Sequence, residues 1–340
     1  MDVRIRAKRQ SIAVSTDELV DVALPPAGRT IPTILAPRLA GVNLAEWLMT
    51  RRSYVDELLL AHRALLFRGF RVHDVASLEA IVAASSSGAR LEYRDRTSPR
   101  YAVGDNVYVS TIYPAAQAIH LHNEGTYWRE WPLKIYFCCL HAPREGGATP
   151  IADVRAVFQR IPAEVRDPLV RRQVMYVRNY NDGLGLRWQE VFQAAVRHEV
   201  EATCRRNGIT FEWKDGDRLR TTQVRPAVRW HPVTGEPVWF NHAAFFHISA
   251  YDPAVRDALL ANFLVDELPY HTCYGDGEPI PESAIRVIRE AYEAERVTVP
   301  WREGDVLLLD NMSVAHGRDP YVGERQVIVA MVEPVADTAA

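Results

Sequence analysis

The sequence predicts a mainly β fold with helices at its front and in insertions. Two observations carry that reading. Apolar runs of strand length crowd the middle and end of the chain: residues 64–71 (ALLFRGFR), 132–142 (PLKIYFCCLHA), 305–309 (DVLLL) and 326–332 (QVIVAMV). Such runs, bounded by turn residues, read as buried strands, and helical periodicity is confined to a few segments between them. No repeat, low-complexity tract or long Gly/Ser linker divides the 340 residues, so one domain is expected, with its core at about 40–334.

In order along the chain, residues 40–63 place Leu44, Trp47 and Leu48, then Val55, Leu58 and Leu59, on one helical face. The strand at 64–71 follows and breaks near Gly69, and a second helix is expected at about 75–86 through Val75, Leu78 and Ile81. Residues 101–113 alternate as a strand leading into the run HLHNE, and the strand at 132–142 closes on Pro143 and the Gly146-Gly147 turn. A helix at 153–168 is followed by strands at 171–178 and 223–229, with a mixed, mostly helical excursion between. Two strand edges flank the turn 231–236 (HPVTGE), and 283–297 is an amphipathic helix with Ile285, Ile288 and Tyr292 in its stripe. The strands at 305–309 and 326–332 come last.

A composition of 48% hydrophobic and 24% charged residues is that of a globular protein with a sizeable core. A net charge of −3 gives no electrostatic case for nucleic acid or an anionic membrane as partner. The first residues, MDVRIRAKRQ, lack the apolar stretch of a signal peptide, and no run reaches membrane-spanning length. Cys138, Cys139, Cys204 and Cys273 show no metal-type spacing. Neighbours in a strand face opposite sides, so Cys138 and Cys139 are not expected to bridge, and reduced cysteines in a cytoplasmic protein are the simplest reading.

The chemistry is concentrated in two places. His122-Asn123-Glu124 sits in the run AIHLHNEGT, and His316 sits in DNMSVAHGRDPYVGER, with Arg325 nine positions further on. Residues two apart on a strand share a face, so His122 and Glu124 can clasp one ion and a distant histidine can complete the triangle. Two histidines and a carboxylate with open positions opposite form the ligand set of non-haem Fe(II) oxygenases. On the same alternation His120 shares their face and is a competing ligand. His231, His242 and His247 could approach a pocket, but nothing in their spacing requires it.

An ordered series of motifs then resembles a known family. LLFRGF, HLHNEGTYWREWP, GGATPIAD, RWHPVTGEPVWFN and DNMSVAHGRDPYVGER, between about Leu65 and Val332, look like the TauD/TfdA family of Fe(II)/2-oxoglutarate-dependent dioxygenases. The branch they resemble is that of clavaminate synthase and the amino-acid hydroxylases of peptide-natural-product pathways. The resemblance implies a double-stranded β-helix, or jelly roll, with N-terminal helices and a helical insertion. It implies Fe(II) held by His122, Glu124 and His316, with 2-oxoglutarate and O₂ as cosubstrates. Thr149, 27 positions after His122 in the Gly-Gly-x-Thr motif, and Arg325 would hold the distal carboxylate of 2-oxoglutarate. The chemistry suits that role, because a planar guanidinium grips a carboxylate through two parallel charge-assisted hydrogen bonds and a hydroxyl adds a third.

The implied activity is hydroxylation of an amino acid or an amino-acid-derived small molecule, free or thioester-linked to a peptidyl carrier protein. Desaturation, cyclisation or epoxidation by the same centre stays open, as does a metal-binding jelly roll that has lost catalysis. The paired Thr149 and Arg325 argue against that last reading, since a structural metal needs no carboxylate clamp. Glu124 argues against halogenation, because related halogenases carry a small residue in its place. The gap from His316 to Arg325 is shorter than in taurine dioxygenase, and Val329 stands where that enzyme has the arginine that grips its sulfonate. Arg318 either binds a substrate carboxylate or braces its turn, Asn241 either faces the substrate or makes a structural hydrogen bond, and His120 is a further substrate-binding candidate.

Overall fold

The computed structural model of the chain describes residues 19–26, 30–86, 102–104, 107–110, 113–181 and 184–337. Parts of the expected strand at 101–113 lie outside the described residues. The first half contains β1 (Val20–Ala23), β2 (Thr33–Pro37), α1 (Leu44–His62), β3 (Ala64–Phe67), α2 (Val75–Ser85), β4 (Ala102–Gly104), β5 (Val107–Val109), β6 (Ile119–His122), β7 (Glu130–His141), β8 (Glu145–Gly146) and β9 (Ile151–Asp153). There follow α3 (Val154–Arg160), α4 (Ala163–Arg172), β10 (Val174–Tyr180), α5 (Trp188–Phe192), α6 (Arg197–Asn207), β11 (Thr210–Trp213), β12 (Leu219–Arg225), β13 (Val228–Trp230) and β14 (Pro237–Trp239). The last third holds α7 (Pro253–Asn262), β15 (Tyr270–Tyr274), α8 (Glu282–Ala294), β16 (Val306–Asp310), β17 (Val314–Arg318), β18 (Tyr321–Val322) and β19 (Gln326–Ala336).

Eight strands form the large sheet in the order β1-β2-β3-β16-β7-β19-β5-β4, antiparallel except for β2 beside β3. Strict alternation splits its side chains between two cores. Val306 and Leu308 of β16, with Ile328 and Ala330 of β19, pack beneath Leu44, Trp47 and Leu48 of α1 and Leu78 and Ile81 of α2. Leu307 and Leu309, with Val327, Val329 and Met331, point the other way and meet Leu121 of β6, Ile151 of β9 and Val314 of β17. Cys138 and Cys139 divide in the same way, one in each core, and all four cysteines are buried thiols outside any disulfide. The period of two thus builds both faces of a sandwich from single strands.

The opposing wall is made of smaller sheets: β6-β17-β9, the four-stranded β11-β12-β10-β15 and the hairpin β13-β14. The first of these carries the candidate site. Three expectations need correction. The strand expected at 223–229 is the end of β12 and the start of β13, parted at residues 226–227. The helix expected at 153–168 is two helices, parted at Ile161-Pro162, and the second runs on through Pro168 to Arg172. That extension delays β10 to Val174, beyond the expected start at 171.

Candidate active site

β17 pairs with β6 on one side and β9 on the other, and the first pairing brings the two histidines together. His316 lies opposite His122, whereas Arg318 lies opposite Ile119. Two residues of β17 therefore span three of β6, which is a β-bulge. The bulge puts Ile119 and His122 on the face shared with His316 and Arg318, and His120 lines a different cavity. The expectation that His120 shares the face of His122 fails for this reason: simple alternation does not survive an extra residue.

Gly317 makes the bulge possible. A Cβ there would sit 2.5 Å from the Ile119 carbonyl oxygen and 3.3 Å from the His120 carbonyl carbon. Gly317→Ala should force β6 away from β17, with a destabilisation of about 1–3 kcal/mol, typical of overpacking. Thermal unfolding checks the stability, and a wild-type melting temperature would show that the bulge tolerates a side chain.

β6 ends at His122, so Glu124 sits in the following turn and is not on the strand as expected. Asn311 holds it there. Its side-chain oxygen accepts from the Glu124 N–H at 2.8 Å, and its amide nitrogen donates to the carbonyls of Glu124 (2.9 Å) and Pro132 (2.8 Å). Asn123 returns the contact, donating to the Asn311 carbonyl at 2.6 Å. Asn311 also belongs to the turn that leads into β17, whose Asp310 carboxylate accepts from the N–H groups of Met312 and Ser313. The loop bearing Glu124 and the strand bearing His316 are thereby fastened to each other. Nothing in the sequence marks Asn311 for this role, because the carbonyls it meets lie 187 and 179 residues away.

His122, Glu124 and His316 each offer a ligand atom, and those atoms lie within 4.8 Å of one another. The His122 Nδ1–H donates to the His120 carbonyl at 2.8 Å, since a carbonyl can only accept. That bond leaves Nε2 as the nitrogen with a lone pair, the arrangement metal-ligating imidazoles adopt. Phe245 stacks on the His122 ring at 4.4 Å, and Phe137 packs against His316 at 4.9 Å, so aromatic walls fix both rings. The donor set and its support fit an Fe(II) ion with open positions.

His242 lies behind this group and is not in it. Its Nε2–H donates to the Asn123 carbonyl at 2.7 Å, and burial, aided by the neighbouring His122, pushes its pKa down to about 3. It is a neutral brace for the HxE loop. His231 is set against Asp310 at 3.0 Å, and His247 against Ser249, both away from the three candidate ligands.

A cavity opens on His122 and His316 and is lined also by Thr149, Arg318, Arg325 and Val329, among others. Arg325 donates from Nε to the Gly147 carbonyl at 2.9 Å and from a terminal nitrogen to the Ser110 hydroxyl at 3.3 Å. Both partners are neutral. Burial, and then the nearby Arg318, lower its pKa to about 10, the direction expected of a cation that lacks an anion. Gly147 must be glycine for the close approach: its φ is +67°, and a Cβ would lie 3.1 Å from Arg325 Cδ. The Thr149 hydroxyl accepts from the Trp301 indole N–H at 3.1 Å, which leaves its own hydrogen to donate. Trp301 is a second contributor the sequence reading missed, because only the fold brings it to Thr149.

Arg318 donates to the carbonyls of Tyr113 (2.9 Å), Pro114 (2.7 Å) and Gln117 (2.7 Å) and so holds the loop before β6. Of the two roles open to it, bracing is the one its contacts display. Asn241 donates to the Ala227 carbonyl and accepts from the Ala243 N–H, and it lines neither cavity of the site. Of the aromatics near the motifs, Tyr127 and Trp128 are buried in the inner core and Tyr113 lies beside Arg318.

The chain also matches known proteins. A family model described as taurine catabolism dioxygenase TauD, TfdA family, matches residues 25–331. The chain is 40% identical over 285 residues to the dapdiamide synthesis protein DdaC of Enterobacter agglomerans, covering 84% of this chain and 86% of that one. It is 28% identical over 321 residues to a clavaminate synthase-like protein of Arabidopsis thaliana, covering 89% and 94%. Among solved structures it is similar to PvcB, titled an Fe, alpha-ketoglutarate dependent oxygenase from an isonitrile synthetic pathway, with TM-score 0.57, 16% identity and coverage of 97% and 98%. A taurine dioxygenase from Burkholderia xenovorans is similar too, with TM-score 0.55, 16% identity and coverage of 95% and 96%. At that identity the two structures speak to the jelly-roll fold.

Proposed function

The chain belongs to the TauD/TfdA family of Fe(II)- and 2-oxoglutarate-dependent dioxygenases, and from that premise we propose that it hydroxylates an unactivated C–H bond of an amino acid or amino-acid-derived molecule in natural-product biosynthesis. The observation that carries the reading is one cavity onto which His122, His316, Thr149 and Arg325 all open. In this reading His122, Glu124 and His316 hold the iron, and Arg325 and Thr149 hold the distal carboxylate of 2-oxoglutarate. Once bound, iron and 2-oxoglutarate supply O₂-driven oxidation of the substrate, with 2-oxoglutarate leaving as succinate and CO₂.

The protein's own residues bind, orient and exclude water. Arg325 meets the carboxylate with guanidinium donors in a buried setting where a charge-assisted bond is strong. Trp301 turns the Thr149 hydroxyl so that its hydrogen can face the same carboxylate. Asn311 and Asn123 keep Glu124 within reach of the histidines, and Phe245 and Phe137 shield the imidazoles. A cytoplasmic location belongs to this reading and suits four cysteines that form no disulfide. Among the described residues no helix is long and apolar enough to cross a membrane.

Val329, buried in the cavity wall, offers no charge to a sulfonate, which stays ionised at neutral pH and needs a cation when desolvated. With Fe(II), 2-oxoglutarate and air, taurine should release no sulfite, while at least one member of a panel of free and carrier-loaded amino acids should gain an oxygen atom in step with succinate. Sulfite release from taurine would overturn the exclusion. Turnover of an unrelated scaffold alone, such as a terpenoid, would overturn the substrate class.

A further inference from the structure

Arg68 stands one residue beyond β3, within the run LLFRGF. β3 and β16 are antiparallel with Phe67 opposite Val306, so the next pair outward is Arg68 and Asp305. Asp305 is fully buried, and a carboxylate removed from water needs a partner. Arg68 supplies it. Its Nε donates to both carboxylate oxygens, at 3.1 and 3.2 Å, and a terminal nitrogen donates to Oδ2 at 2.6 Å.

The pair also holds a turn. The same terminal nitrogen of Arg68 donates to the Pro300 carbonyl at 2.8 Å, and Asp305 Oδ2 accepts from the Arg302 N–H at 2.9 Å. The backbone is therefore gripped on both sides of Trp301. The Asp305 N–H donates to the Arg302 carbonyl at 3.0 Å and closes the turn. Trp301 packs against the inner core and donates from its indole to the Thr149 hydroxyl at 3.1 Å. Arg68, Trp301 and Thr149 line one cavity, and Thr149 also lines the cavity of the candidate ligands. A chain of contacts thus runs from the end of β3 to the hydroxyl assigned to 2-oxoglutarate.

We propose that Arg68, paired with Asp305, is a positioning residue for the cosubstrate. By fixing the turn that carries Trp301 it sets the direction of the Thr149 hydroxyl, and with it the affinity for the distal carboxylate of 2-oxoglutarate. The inference rests on the reading of Thr149 and Arg325 as the carboxylate clamp and extends it outward. A planar guanidinium can hold a carboxylate and a neighbouring carbonyl at once, which a lysine ammonium on a flexible stem does not reproduce. The supports of Glu124 and His316 run elsewhere, through Asn311 and the pairing of β17 with β6.

The test measures 2-oxoglutarate binding to the Fe(II)-loaded full-length protein under argon. Arg68→Gln and Trp301→Phe should each weaken binding about three- to tenfold, the scale of one neutral hydrogen bond, with Fe(II) affinity unchanged. Arg68→Lys should show a smaller loss of the same kind. In a Thr149→Val background neither Arg68→Gln nor Trp301→Phe should weaken binding further, because effects routed through one group do not add. A second readout needs no metal. In protein with isotope-labelled tryptophan, the Trp301 indole N–H resonance, assigned by its loss in Trp301→Phe, should shift in Arg68→Gln. That variant leaves Asp305 buried without its cation and should melt earlier; where it does not fold, Arg68→Lys carries the same comparisons. Equal losses of Fe(II) and 2-oxoglutarate affinity, a further loss on top of Thr149→Val, or an unmoved Trp301 resonance would each mark a general brace of the fold and overturn the proposal. Weakened binding in Thr149→Val with none in the Arg68 variants overturns the proposal alone. Wild-type binding in Thr149→Val overturns the clamp reading with it.

Discussion

His316→Ala should lower Fe(II) affinity by more than about a hundredfold, beyond the roughly 10–100-fold loss that removing a residue which only supports a ligand brings. Glu124→Ala should do the same. His316 projects from the centre of β6-β17-β9 opposite His122, and its ligand atom lies within 4.8 Å of the other two. Among the described residues His242, the nearby histidine, does not take its place, since it is committed through Nε2 to the Asn123 carbonyl and is held neutral. Asn311→Ala is the instructive comparison. It leaves the donor set complete but frees the Glu124 backbone, so its loss should fall in the smaller range. Anaerobic calorimetric titration with Fe(II) reads all three. Wild-type affinity in His316→Ala would remove that residue from the ligand set, and equal losses in Asn311→Ala and Glu124→Ala would deny the distinction between ligand and support.

Arg325→Ala should raise the 2-oxoglutarate requirement well over tenfold and leave Fe(II) affinity nearly intact, because truncating one partner of a buried charge pair costs about 2–5 kcal/mol. The geometry favours a large value. Arg325 is anchored by the Gly147 carbonyl and the Ser110 hydroxyl, has no carboxylate partner among the described residues, and is desolvated enough to depress its pKa. Thr149→Val should cost less, about 1.5–3 kcal/mol, as for a single hydrogen bond to a charged group. Arg318→Ala should act differently, since its three carbonyl contacts hold the 113–117 loop, and its effect should appear in stability. Titration of the iron-loaded variants with 2-oxoglutarate under argon measures these differences. Normal binding in Arg325→Ala with lost binding in Arg318→Ala would transfer the clamp to Arg318.

The pattern of these expectations follows what could be read in the chain. β7, β16 and β19 were legible because each is a long apolar run, and α1, α2 and α8 because their apolar residues recur at helical spacing. The candidate ligands were legible as residue types in motifs. Their support was not. The β6 bulge exists only because β17 presses Gly317 against Ile119, a contact between segments almost two hundred residues apart. Period-two reasoning therefore placed His120 and Glu124 wrongly, the one on the face of His122 and the other on its strand. Asn311 and Trp301 escaped for the same reason: their hydrogen bonds span 187 and 152 residues. α7 was missed because none of its residues is buried, so it has no apolar stripe set by a core.

Anaerobic addition of 2-oxoglutarate to the Fe(II)-loaded protein tests the central claim most directly. A weak visible charge-transfer band should appear and saturate at one iron per chain, persist in His120→Ala and vanish in His122→Ala. A band that survives in His122→Ala, or that His120→Ala abolishes, would contradict the assignment of the iron to His122, Glu124 and His316.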